Sequence, residues 1–148
     1  MAKPVPLSPN ARGYIAGLLD FKGNAYYGRK SGLVVYINGV KAESMQKDLK
    51  RWIGGGSVTE NSSDGDRRGC KIHCDLAHFH YTRTSVKFTF TGLRALCVLY
   101  SLEPSLHEWQ RKFAAPFHEA MQRIEEMSTT KDGKKILDDM AARGWEVP

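Results

Sequence analysis

No stretch of this 148-residue sequence is apolar over the length of a membrane span, about 20 residues, so no membrane association is expected. Cysteine is scarce. Three residues, an odd number, argue against a disulfide framework. The opening Met1-Ala2-Lys3-Pro4-Val5-Pro6 has no apolar signal-peptide core, and a cytoplasmic location is expected. No internal repeat is visible, so each motif below occurs once. Acids are the minority: 16 Asp and Glu against 22 Lys and Arg give a net charge of +6. That balance favours a polyanionic partner without proving one. Apolar content of 41% and charged content of 26% are those of an ordinary globular domain, and the length suits one core.

Ser8 and Pro9 suit the N-cap and first position of a helix running to about Phe21 and stopped by Gly23. Asn24 to Lys30 reads as a strand, Ser31-Gly32 as a tight turn, and Leu33 to Asn38 as the hairpin partner. A second helix is predicted over Lys41 to Ile53, where Met45, Leu49, Trp52 and Ile53 share one face. Gly54-Gly55-Gly56 breaks it before a short strand at Ser57 to Glu60, and residues 61–69 read as a polar loop. Val86 to Phe90 alternates as a half-buried strand. A helix capped by Thr91 runs to Leu102, where Glu103-Pro104 ends it. Ser105-Leu106-His107-Glu108 matches a capping box opening a helix to about Met127, kinked at Pro116. A last helix spans about Gly133 to Arg143, with Ile136, Leu137 and Met140 on one side.

Tyr14-Ile15-Ala16-Gly17-Leu18-Leu19-Asp20-Phe21-Lys22-Gly23 resembles the single LAGLIDADG motif of homing endonucleases. Leu49 to Val58 and Phe88 to Ala114 resemble later elements of that family in the same order. The resemblance covers about residues 8–127 and implies an α+β fold, an αββαββα domain with extra C-terminal helices. One domain is expected over 1–148, with its core in 8–127 and a helical tail at 128–148.

The family's motif ends in an acid, glycine pair, the acid holding the catalytic metal; here that position is Lys22. A lysine repels a divalent ion, and Asp20, the alternative acid, sits about 200° round the helix. The lysine that the family places after the Leu-Glu-Pro-Ser-Leu segment aligns nearest to Trp109, with Arg111 and Lys112 just beyond. No catalytic set is read as intact, though Asn38 keeps a polar group near the expected water-positioning site. The resemblance also implies a homodimer seam at Gly13, Ala16 and Gly17, the alternative being a helix packed tightly on its own sheet. It implies a DNA-facing surface of Asn24, Tyr26, Gly28 and Lys30 on the first strand and Val34, Tyr36 and Asn38 on the second. A solvated sheet face is the alternative there, and tyrosine and valine suit it poorly.

Cys70, Cys74, His78 and His80 offer an S₂N₂ set for zinc, but the spacing is not a standard finger and scattered cysteine and histidine is the preferred reading. The sequence is therefore read as a catalytically silent homodimer binding double-stranded DNA, with no cofactor required for binding. Such a protein would be nucleoid-associated in a bacterial or phage setting, and a phage or mobile element is a plausible source. One alternative is an active endonuclease making Mg²⁺-dependent double-strand cuts. Another is an interaction protein that kept the fold but lost nucleic-acid binding.

Overall fold

A computed structural model describes Pro4, residues 6–64 and residues 82–148. The zinc candidates Cys70, Cys74, His78 and His80 lie outside the described residues. Helix α1 (Pro9–Lys22) starts as expected: the Ser8 hydroxyl accepts from the Ala11 N–H at 3.1 Å, and proline fills the first position. Strands β1 (Gly23–Gly28) and β2 (Gly32–Asn38) form the hairpin. Its turn is Arg29–Ser31, so Lys30 stands on the turn rather than in the strand. Gly32 takes the positive φ, +70°, that closes such a turn.

After α2 (Glu43–Ile53), strand β3 (Ser57–Asp64) runs longer than expected. Residues 61–64 are paired with β4 (Thr82–Thr91) and are not loop. The sheet is wholly antiparallel, in the order β1-β2-β4-β3. Helix α3 (Gly92–Leu102) completes the αββαββα order expected from the sequence, and the fold is α+β. Helices α4 (Ala114–Met121), α5 (Ile124–Ser128) and α6 (Lys131–Ala142) follow. Among the described residues no helix is long and apolar enough to cross a membrane.

Cross-strand partners share a face, so the register defines both faces of the sheet. The inner rows are Ala25–Val35–Phe90 and Gly23–Ile37–Phe88–Val58. Val35, Ile37 and Phe88 are wholly buried there, with Leu19 of α1, Leu96 and Leu99 of α3, and Phe113. α3 is buried nearly all round, as a helix without a polar face must be. Its Cys97 thiol is pushed up to about 11 by burial, against the pull of Arg94.

The segment after α3 departs from the capping-box reading. Glu103–Ser105 is a 3₁₀ turn and Trp109–Phe113 a π-helical turn. Ser105 caps nothing; instead the Asp20 carboxylate, from α1, accepts from the Glu108 N–H at 3.0 Å. Pro116 cannot donate to the carbonyl four residues back, and the widened turn just before it absorbs the defect.

The C-terminal helices close the other end of the domain. The last carbonyls of α2 would otherwise be orphaned. Arg143 Nη1 donates to the Arg51 carbonyl, Trp145 Nε1 to that of Trp52 at 2.8 Å, and Arg94 Nη1 to that of Ile53 at 3.1 Å. Two guanidinium groups thus face the negative end of a helix. Asp139 holds both, accepting from Arg94 at 2.6 Å and Arg143 at 2.8 Å. Burial alone would push its carboxyl up, but these hydrogen bonds and charges hold it below its ordinary value. The contact therefore contributes at neutral pH and is lost as pH falls through that lowered value. Gly54 makes the approach possible. It takes φ +82°, and a Cβ there would lie 2.4 Å from both guanidinium groups.

Candidate nucleic-acid interface

Three cross-strand rows lie side by side at the centre of the outer face of the sheet. They are Tyr26–Val34–Thr91, Asn24–Tyr36–Thr89–Ser57 and Asn38–Lys87–Thr59. None of these positions is an acid, although the chain has 16 Asp and Glu. These rows therefore present hydroxyls, amides, two phenols and one ammonium. Arg29 and Lys30 extend it at the exposed hairpin turn.

The side chains in the rows are ordered against one another. The Tyr26 and Tyr36 rings lie 6.3 Å apart, tilted by 56°. Lys87 Nζ sits 4.6 Å from the Tyr36 ring centroid, within cation–π range. Asn24 Oδ1 accepts from the Ala25 N–H at 2.9 Å, which engages the amide oxygen and leaves the NH₂ group as its donor end. Tyr26 is 52% exposed, and Asn24 and Asn38 are exposed. Val34 differs from expectation: it is on the outer face but only 4% exposed. β2 is an inner strand, and Tyr26 on one side and Thr91 on the other cover the smaller valine. Val34 supports the surface and cannot contact a ligand.

Thr89, Thr91, Lys87, Ser57 and Thr59 complete the face, and sequence alone does not assign them to it. Only the pairing of β4 between β2 and β3 brings them beside the first hairpin.

On α1, Gly13 and Gly17 are exposed, and a Cβ at either would meet nothing within 4 Å. Ala16 does not share their stripe. It is 5% exposed and packed in the chain's own core, because it lies on the helix flank turned toward the sheet. The open side of the helix instead adds Tyr14 and Phe21, the latter 82% exposed.

At the C-terminal end of α1, Lys22 lies over Gly39, whose Cβ position would be 3.3 Å from Nζ. Lys112 reaches the same helix end, its Nζ donating to the Asp20 carbonyl at 2.8 Å. Two ammonium groups therefore occupy the negative end of α1. Sequence alignment left Lys112 beside the nearest match, Trp109, which is buried in the core. The π-helical turn shifts the register so that Lys112 comes forward as Trp109 turns inward.

Lys22 is a cation, and Asp20 spends Oδ1 on the Glu108 N–H. Among the described residues no group of three or more His, Cys, Asp or Glu could hold a metal ion.

No protein-family model matches the chain, and no curated protein matches it in sequence. Among solved structures it is similar to the crystal structure of a homing endonuclease, I-TnaI. The match covers 92% of this chain and 87% of that one, at 16% identity and a TM-score of 0.48.

Proposed function

We propose that this chain is a DNA-binding protein of homing-endonuclease-like architecture that binds double-stranded DNA as a homodimer and does not cut it. The acid-free outer face of the sheet carries the reading. A surface that excludes all carboxylates while the whole chain holds +6 suits a polyanion. Its asparagines can pair with adenine edges, its lysine with guanine or phosphate, and its threonine methyls can pack on thymine. The antiparallel strands suit the major groove, which admits a β-ribbon. The seam expected from the sequence is supported by the open glycines of α1 and the exposed Phe21 beside them. A second copy there would align two sheets into one longer surface. Lys22 supports the absence of cleavage, since it brings a cation where a metal-dependent site needs an anion.

The test is binding to a random duplex pool over a salt series, with and without Mg²⁺ or Mn²⁺. Affinity is expected to fall steeply with salt as phosphate contacts release counterions, and the bound DNA to stay uncut. Absence of binding to any duplex would overturn the reading. Metal-dependent cleavage abolished by Asp20→Asn would establish the endonuclease alternative instead.

A further inference from the structure

From the arrangement of the tyrosines we infer that the outer sheet face also takes unpaired nucleotides, by stacking a base on Tyr26. This uses the face already described but does not depend on duplex binding. The two rings have different surroundings. Tyr36 is half-buried, with Lys87 against its ring at 4.6 Å and Tyr26 beside it at 6.3 Å. It is a support. Tyr26 stands on the edge strand with 52% of its surface open, held at its angle by Tyr36. Its exposed ring is a preformed platform, and a base laid on it loses no aromatic contact already made within the chain.

Polar groups suited to a single strand surround that ring. Asn24, one pleat away on the same strand face, has its amide oriented with NH₂ as donor, suited to the carbonyl of an unpaired base. Lys87, anchored on Tyr36, offers its ammonium to the adjoining phosphate, and Arg29 and Lys30 offer a path for the backbone past the edge of β1. None of the strand residues in these rows is an acid, and one carboxylate, Glu119 of α4, shares with Tyr26 and Tyr27 the pocket at the edge of β1. Stacked aromatics with neighbouring cations are the physical requirements for holding single-stranded nucleic acid. A duplex presents phosphates and groove edges, and it offers no free base to the open ring. The ligand is a nucleobase on a flexible phosphodiester, whether deoxyribose or ribose.

The experiment is fluorescence anisotropy with labelled dT₁₂, rU₁₂ and a 20-base-pair duplex, on wild type, Tyr26→Phe and Tyr26→Thr. Threonine keeps the strand preference at this exposed position, and melting of each variant checks the fold. Wild type is expected to bind the single strands. Tyr26→Phe should stay within about threefold and Tyr26→Thr should lose about tenfold or more, because stacking needs the ring and not the hydroxyl. A preference between dT₁₂ and rU₁₂ combines the 2′-hydroxyl with the thymine methyl, and dU₁₂ separates the two. Absent single-strand binding, or binding unchanged in Tyr26→Thr, overturns the inference whatever the duplex does. Duplex binding alone would leave the proposed function standing. Single-strand binding alone would support the inference and overturn the duplex reading.

Discussion

Replacing Trp145 with alanine is expected to cost about 3–5 kcal/mol, the range for a large buried aromatic cut to a methyl group. The indole is 3% exposed, and its Nε1 donates to the Trp52 carbonyl at the end of α2. Truncation opens a cavity and orphans that carbonyl together. Small domains hold only about 5–15 kcal/mol in all, so the variant should melt on the order of 10 °C lower and express poorly. Trp145→Phe separates the two effects. It keeps most of the ring but not the N–H, and about 1–2 kcal/mol should be lost. Calorimetry checks both values. A Trp145→Ala protein melting within a degree of wild type would show that the C-terminal segment does not brace α2.

The second large effect concerns association. Gly17→Leu should convert a dimer to a monomer while leaving the fold intact or firmer. Within the chain a Cβ at Gly17 meets nothing within 4 Å, so the side chain costs no internal packing. Replacing a helical glycine also favours the helix by roughly 0.5–1 kcal/mol. Between two copies the same leucine would wedge the helices apart. Losing the second subunit removes the linked half of the DNA contact, and affinity for a two-half-site duplex should fall about a hundredfold or more. Sedimentation equilibrium and melting, measured on the same samples, check the combination. Wild type found as a monomer at several hundred micromolar would contradict the seam.

What the sequence disclosed follows the range of the interactions involved. α1 was readable because Ser8, Pro9 and Gly23 act within a few residues of the backbone they control. The first hairpin was readable for the same reason, with its turn displaced to Arg29–Ser31. The Ser105 motif misled because its pattern is local while the actual partner of the Glu108 N–H is Asp20, 88 residues away. Gly54-Gly55-Gly56 was legible as a helix stop. Its closeness to Arg94 and Arg143 depends on two later elements and left no local signal. Alternation placed Val34 on the outer face correctly, but alternation sets direction and not exposure, which here depends on Tyr26 and Thr91. Ala16 shows the reverse: small size suggested an open seam, and the packing of α1 turned it inward. Lys112 could have been found by asking how a helix accommodates Pro116, since widening the previous turn moves every side chain in it.

The central claim is that the acid-free sheet face is where nucleic acid binds, and Thr59 tests it most directly. Thr59 is exposed on an edge strand and pairs across to Lys87. A glutamate there faces an ammonium, which favours the folded sheet while neutralising the central cation of the face. Thr59→Gln has the same length without the charge. Titrating a duplex from a selected pool into both variants at fixed salt isolates that charge. The account predicts melting temperatures within a few degrees of wild type, near-normal binding by Thr59→Gln, and binding about tenfold or more weaker by Thr59→Glu. Equal binding by the two variants would contradict it and place the interface elsewhere on the chain.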